Sequence, residues 1–287
     1  MVRAIDVTLT RGGQTVLDRS SFSLAPGTLT ALIGPNGSGK SSLLDAMAGL
    51  LPVHHGHLEV LGTVPRMARA RAAYVLQATA VNEVLPMTAR DVVMLARYSR
   101  RGLLGRMRPE DRTAVDAAME RLGVADLGTR HLYELSGGQR QRILVAQGLA
   151  QEADLLLLDE PLSGVDLSSR ERILQIVAEE RAQGRTLAIA THDLAEAEGA
   201  DQVLLLGGRV VAAGPPSAVI TPQRLADAYG ARVLLLDDGS VVLDDPHHPD
   251  PHHPGLHHPG SHHPGASHPE PSRHAARARG SAAGGPA

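Results

Sequence analysis

The sequence predicts an α/β fold: a doubly wound parallel sheet with an antiparallel β subdomain, an inserted α-helical subdomain and a histidine-rich C-terminal tail expected to be disordered. Three observations predict it. Apolar runs too short for helices, TLTALI at 28–33, DLLLLD at 154–159 and TLAIAT at 186–191, alternate with helical segments, as parallel strands covered on both faces do. A mainly helical stretch from about 80 to 150 interrupts that alternation. Beyond Asp245, Pro, Gly, His, Ser and Ala dominate, a composition that cannot build a core.

Taken in order, residues 3–10 and 14–24 alternate apolar and polar and are joined by RGGQ, which implies antiparallel strands around a glycine turn. TLTALI then runs into a glycine-rich loop and the helical segment SSLLDAMAGLL. The inserted subdomain follows, with helical apolar spacing in TARDVVMLARY and DRTAVDAAMERLGV and breaks at Gly102, Gly105 and Gly123. After DLLLLD comes the helix SSRERILQIVAEERAQG and the strand TLAIAT. VLLLGGRVVAAG and ARVLLLDDGSVVLDD each imply a hairpin, the second turning at Asp238 and Gly239. One folded domain is expected over 1–245, with the tail over 246–287.

Composition excludes several functions. No apolar stretch approaches the roughly 20 residues that span a bilayer. The chain has no cysteine, and MVRAIDVTLT lacks the apolar core of a secretory signal, so a cytoplasmic address is expected. A net charge of −3 and 2% aromatics argue against a nucleic-acid partner. Of 28 basic residues, only Lys40 is a lysine. Something at that position resists arginine.

GPNGSGKS supplies the reason. Gly34, Pro35, Asn36, Gly37, Ser38, Gly39, Lys40 and Ser41 fit the phosphate-binding loop pattern, with Ser42 following. Glycines let successive amides face phosphate oxygens, lysine places a compact charge on the terminal phosphates, and the Ser41 hydroxyl serves Mg²⁺. A planar guanidinium does not fit such a nest as a point charge does. The core is therefore expected to be a P-loop NTPase (RecA-like) core. LLLLDEP ends a buried strand in two acids: Asp159 is placed to hold Mg²⁺ and Glu160 to polarise an attacking water. LSGGQRQR places Ser136, Gly137, Gly138 and Gln139 at the start of an apolar helix, a second anion site by virtue of its free amides and dipole.

On these motifs, in this order, the chain over about residues 1–245 resembles the ATP-binding subunits of ABC transporters. The resemblance implies ATP and Mg²⁺ as cofactors and a head-to-tail homodimer, in which the signature Ser136 and glycines meet the γ-phosphate bound by the other subunit. It assigns Gln77 of YVLQ to the loop that senses Mg²⁺ and the membrane partner, Asp166 of SGVD to communication across the dimer, and His192 of THD to the γ-phosphate. Lys40, Glu160 and His192 are then the catalytic set, and Ser41, Gln77 and Asp159 the Mg²⁺ set. One departure stands out: where the family often has an aromatic residue to stack on adenine, this chain has TLTRGG. Arg11 either stacks its guanidinium on the base or is solvated.

A single cassette without a fused membrane segment implies a separate permease, with the chain peripheral on the inner face of the cell membrane. TARDVVMLARYSRRGLLGRMRPEDR, SGVD and TPQRLADAYG are similar to the zinc- and manganese-type importers, which adds an extracytoplasmic metal-binding protein as a partner. An importer of another solute or an exporter is the alternative within transport, and a metal-buffering protein the alternative outside it. Arg97, Arg100, Arg101, Arg106 and Arg108 either face the permease or lipid head groups or form a solvated surface. His54, His55 and His57 either make a second metal site or sit in a surface loop before a strand. In the tail, His247, His248, His252, His253, His257, His258, His262 and His263 recur as pairs every five residues. Imidazole suits Zn²⁺ and Ni²⁺ better than Mg²⁺. Either these pairs buffer or sense Zn²⁺ or Ni²⁺, or they are a low-complexity spacer.

Overall fold

The short apolar runs pair side by side as their alternation with helices implies. In the computed structural model, which describes residues 1–77, 86–101, 106–230, 233–235 and 241–243, six strands form one sheet. Their order is β5 (Ala72–Val75), β6 (Leu155–Asp159), β7 (Thr186–Ala190), β3 (Leu29–Ile33), β8 (Gln202–Leu206) and β9 (Val210–Gly214). All neighbours are parallel except β8 and β9, which form an antiparallel hairpin.

Side chains alternate across each strand, and the sheet therefore feeds two cores. Ala31, Ile33, Leu156, Leu158, Leu187 and Ile189 enter one; Leu32, Leu155, Leu157, Ala188 and Ala190 enter the other. With both faces covered, the strands read as continuous rather than alternating apolar runs. Truncating a fully buried central leucine such as Leu157 to alanine costs about 2–5 kcal/mol.

The second core is closed by an antiparallel sheet of β2 (Gln14–Leu24), β1 (Val2–Arg11) and β4 (His55–Val60), together with helix α1 (Lys40–Met47). The first is closed by α3 (Ala89–Arg101), α4 (Pro109–Arg121) and α5 (Gly137–Ala150), the helical insertion, and by α6 (Leu167–Ala182). Shorter elements complete the described chain: α2 (Pro65–Ala68), α7 (Leu194–Glu198), α8 (Pro216–Val219), α9 (Pro222–Tyr229) and the hairpin β10 (Val233–Leu235) with β11 (Val241–Leu243). Among the described residues no helix is long and apolar enough to cross a membrane.

Two expectations are corrected here. Arg97 is neither solvated nor free to meet a membrane partner, being 4% exposed. It lies one turn after the buried Val93 on the core face of α3, where its guanidinium donates to Asp111 Oδ1 at 2.9 Å, to Glu152 Oε2 at 2.7 Å and to the Ala150 carbonyl at 2.7 Å. A buried charge persists only when paired in this way. Arg106 and Arg108 are exposed, which both readings of them allow. The second correction concerns PVHHGHL. His55 and His57 belong to β4 itself, opposite Thr8 and Ile5 of β1, and not to a loop before it. The Asp238–Gly239 turn, Gly102, Gly105, the side chains of Arg100 and Arg101, the tail histidines and the boundary near Asp245 lie outside the described residues.

Candidate nucleotide site

β3, β6 and β7 are adjacent and parallel, so the segments leaving their carboxyl ends meet along one edge of the sheet. Ligands of open α/β sheets bind there. β3 delivers the loop 34–41, β6 delivers Asp159 and Glu160, and β7 delivers Thr191 to Asp193.

The loop's shape is set by its own glycines and by the strand packed against it. Gly39, the residue before α1, has φ 101°, and a Cβ there would stand 2.6 Å from the Val16 carbonyl oxygen of β2. Only glycine combines that dihedral with that approach. No side chain caps α1, which leaves its first amides turned toward the loop. The Lys40 ammonium, 5% exposed, donates to the carbonyls of Gly34 at 2.7 Å and Pro35 at 3.3 Å. The buried Ser38 hydroxyl has no hydrogen-bond partner. An orphaned hydroxyl, uncapped amides and a buried ammonium together fit a polyphosphate.

Ser41 Oγ donates to Asp159 Oδ1 at 3.1 Å, and the Tyr74 hydroxyl donates to Asp159 Oδ2 at 3.1 Å. Burial pushes the Asp159 carboxyl above its ordinary range, partly offset by these two bonds and reinforced by Glu160 and Asp45. A hydroxyl and a carboxylate short of countercharge are the donor set a hard cation takes. Tyr74 is a site residue that the motifs did not reveal. Burial first and the Asp159 charge second hold its hydroxyl protonated well above the usual range, so it remains a donor. The only sequence signal was its place three residues before Gln77, on the strand beside LLLLD. Gln77 itself lies half-buried just beyond β5.

Glu160 turns away from this pair. Its backbone has φ 45°, its amide donates to the Ala190 carbonyl at 3.0 Å, and its Oε2 lies 3.9 Å from His192 Nδ1. Between them is a cavity of about 30 Å³ that Leu162, Ser163, Arg170, Thr191, Asp193 and Glu196 help to line. That volume admits about one or two waters. A carboxylate and an imidazole beside a water-sized space can move a proton.

The signature forms a separate cluster at the start of α5. Ser136 and Gln139 make a reciprocal capping box: Ser136 Oγ accepts from the Gln139 amide at 3.3 Å, and the Ser136 amide donates to Gln139 Oε1 at 3.0 Å. Gly138 is packed against Asp166. A Cβ on Gly138 would lie 2.1 Å from Asp166 Oδ2 and 2.6 Å from Ser169 Oγ. Asp166 caps α6, accepting from Ser168 Oγ at 2.6 Å, Ser169 Oγ at 2.8 Å and the Ser169 amide at 2.9 Å. These bonds hold its carboxyl far below the usual range. Within one chain the structure thus joins Lys40 to its loop, Ser41 to Asp159, Glu160 to His192, and Gly138 to Asp166. Arg11, half-exposed at the end of β1, pairs its guanidinium with Asp45 of α1, an arrangement that both readings of it allow. Among the described residues no cluster of three or more His, Asp or Glu is placed to hold a metal ion, and His54, His55 and His57 are not gathered into one. His55 Nε2 instead lies 3.1 Å from Asp6 Oδ2.

Comparison with known proteins agrees with this geometry. Residues 17–163 match the ABC transporter family. A manganese transport system ATP-binding protein of Bacillus subtilis is 38% identical, over 81% of this chain and 94% of that protein. A zinc transport system ATP-binding protein of Treponema pallidum is also 38% identical, over 81% of this chain and 88% of that protein. A solved inward-facing structure of a metal-chelate type ABC transporter has the same fold, with TM-score 0.70 and 24% identity over 84% of this chain and 94% of that one. Phosphate loop, paired acids and signature all fall within the matched residues 17–163, and the chain belongs to the ATP-binding family of ABC transporters, hydrolysing ATP to drive transport.

Proposed function

We propose that this chain powers an importer of a divalent transition-metal ion, zinc first and manganese next. It works as a homodimer beneath a separate permease, peripheral on the inner face of the cell membrane, with an extracytoplasmic metal-binding protein delivering the ion. The ATPase half of this reading is carried by one observation: Ser41 with Asp159, and Glu160 with His192, flank the Lys40 loop at the ends of three adjacent strands. The metal half rests on the relatives, which include manganese and zinc transport proteins that this chain matches over 81% of its length.

In this reading Lys40, Ser38 and the loop amides hold the phosphates, and Ser41, Asp159 and Gln77 hold Mg²⁺, which neutralises phosphate charge when bound. Glu160 accepts the proton of the attacking water, and His192 donates to the γ-phosphate. Signature residues Ser136, Gly137, Gly138 and Gln139 serve the nucleotide of the other subunit, so each site is completed only in the dimer. The Arg11 guanidinium, paired along one edge with Asp45, keeps a flat face for adenine. The tail histidines gather Zn²⁺ near the membrane without forming part of the engine.

Vesicles containing the subunit and its permease test this directly. ATP-dependent uptake is expected for Zn²⁺ above Mn²⁺, Ni²⁺ and Co²⁺; ATP hydrolysis without accumulation of any of the four overturns the cargo assignment. Deleting residues 246–287 is expected to leave basal ATPase activity within about twofold while reducing bound Zn²⁺, and Zn²⁺ binding that survives the deletion removes the tail from the reading.

A further inference from the structure

His192 Nδ1 makes a long approach, 3.9 Å, to Glu160 Oε2, and its side chain is 45% exposed. Its aim is therefore set by the backbone on either side, Thr191 and Asp193. Both neighbours belong to one hydrogen-bonded net. The Asp193 amide donates to Thr191 Oγ1 at 3.0 Å, and Thr191 Oγ1 donates to Glu196 Oε2 at 2.6 Å. Asp193 Oδ1 accepts from the Ala195 amide at 2.8 Å, which starts α7. The net contains two carboxylates, Asp193 and Glu196, with the Glu160 carboxylate across the same small cavity. One guanidinium bridges the first two. Arg170 Nη2 lies 2.8 Å from Asp193 Oδ2 and 2.8 Å from Glu196 Oε1.

Arg170 comes from another part of the site. It stands in the first turn of α6, its amide donating to the carbonyl of Asp166 at 2.9 Å. Asp166 is the residue that caps α6 and packs on the signature glycine Gly138. A single helical turn thus connects the signature to the strap that carries His192. The geometry points to Arg170 as a positioning residue: through Asp193 and Glu196 it fixes the backbone that aims His192, and through Asp166 it makes that aim depend on the signature end of α6. Being rigid, the first turn of α6 cannot shift at Asp166 without carrying the guanidinium with it. Removing the guanidinium takes away the cation that bridges the two carboxylates, and the Thr191 to Glu196 strap loses this tie to α6. The inference rests on the proposed contact of His192 with the γ-phosphate.

The test is a cycle of variants in the full chain assembled with its permease, reading kcat and KM for ATP. Arg170→Ala is expected to lower kcat on the order of 10- to 100-fold, the range for misplacing a catalytic group by about 1 Å, with KM changed less than about threefold. Arg170→Lys should recover part of the loss, since one ammonium reaches one carboxylate well and two poorly. The deciding measurement is Arg170→Ala in a His192→Ala background, where single-turnover rates should fall by less than about twofold further, because residues that act through one another are not additive. Rates that multiply independently, or a KM rise matching the kcat loss, overturn the inference. If Arg170→Ala does not fold, Glu196→Gln and Arg170→Lys read the same cycle. A His192→Ala variant with unaltered turnover would instead sink the assignment of His192, whereas a crippled His192→Ala beside a normal Arg170→Ala sinks only the present proposal.

Discussion

Two helix N-termini in this molecule carry glycines and are proposed to meet phosphate, and they are prepared in opposite ways. The start of α1 has no side-chain cap, and a lysine and an orphaned serine hydroxyl stand beside it. The start of α5 is already capped, its serine and glutamine satisfying each other's amides. One terminus is complete for a ligand within its own chain. The other is held in shape by its own side chains, and its second glycine is pressed against Asp166. In the proposed reading, the phosphate loop is built to bind, while the signature is built to be presented and to report. Affinity should therefore live in α1, and coupling in α5 and α6.

The severest way to break that division is to spoil α1. Lys40→Arg keeps the charge, yet a guanidinium cannot lie over the carbonyls of Gly34 and Pro35 without opening the loop. ATP turnover is expected to fall on the order of 100- to 1000-fold, the usual effect of losing one preorganised donor at a reacting group, and nucleotide binding should weaken with it. Equilibrium titration of ATP against the variant checks this; near-normal affinity would mean that the lone lysine has another cause.

A smaller break falls on the other terminus. Gly138→Ala drives a methyl group into Asp166 Oδ2 and Ser169 Oγ, at 2.1 and 2.6 Å. The aspartate cannot simply rotate away, because three donors pin it. Releasing it costs the cap of α6, about 0.5–2 kcal/mol. At about 2–4 °C per kcal/mol for a domain of this size, a melting point lower by several degrees is expected, with ATP affinity unchanged and turnover reduced. Loss of affinity equal to that of Lys40→Arg would erase the distinction between the two termini.

How much of this was legible in the sequence follows from the range of each interaction. The phosphate loop, the paired acids and the signature are runs of neighbours, and the buried strands announce themselves by unbroken apolar stretches such as LLLLD. Arg97 was not legible. It sits in a segment crowded with arginines, and what buries it, Asp111 and Glu152, arrives from two other elements. Arg170 is similar: its partners lie 23 and more residues later, beyond a strand, with no periodicity to announce them. β4 was hidden because PVHHGHL is polar and its pairing with β1 spans more than 45 residues. Tyr74 was in plain view within YVLQ, but its role depends on β5 lying beside β6, with Tyr74 paired in register to Leu157.

Tyr74 also sharpens the comparison by the smallest step. On the α1 side, Asp159 is oriented from both flanks, by Ser41 Oγ and by the Tyr74 hydroxyl. If that side is prepared in advance for its cation, removing one flank should blur the preparation without abolishing it. Tyr74→Phe keeps the ring in the sheet and deletes only the donor, at a cost of about 0.5–1.5 kcal/mol for one hydrogen bond. The freed Oδ2 gains rotational freedom, and the carboxylate loses one of the bonds that counter its burial. The Mg²⁺ concentration giving half-maximal ATPase activity should accordingly rise, by about 2- to 10-fold at saturating ATP, because each 1.4 kcal/mol corresponds to a factor of ten. Ser136→Ala, on the α5 side, should leave that Mg²⁺ dependence where it was, since its hydroxyl serves the cap of another helix. An equal rise in both variants would mean that the two termini share one binding event within a single chain, and the division of labour between α1 and α5 would have to be withdrawn.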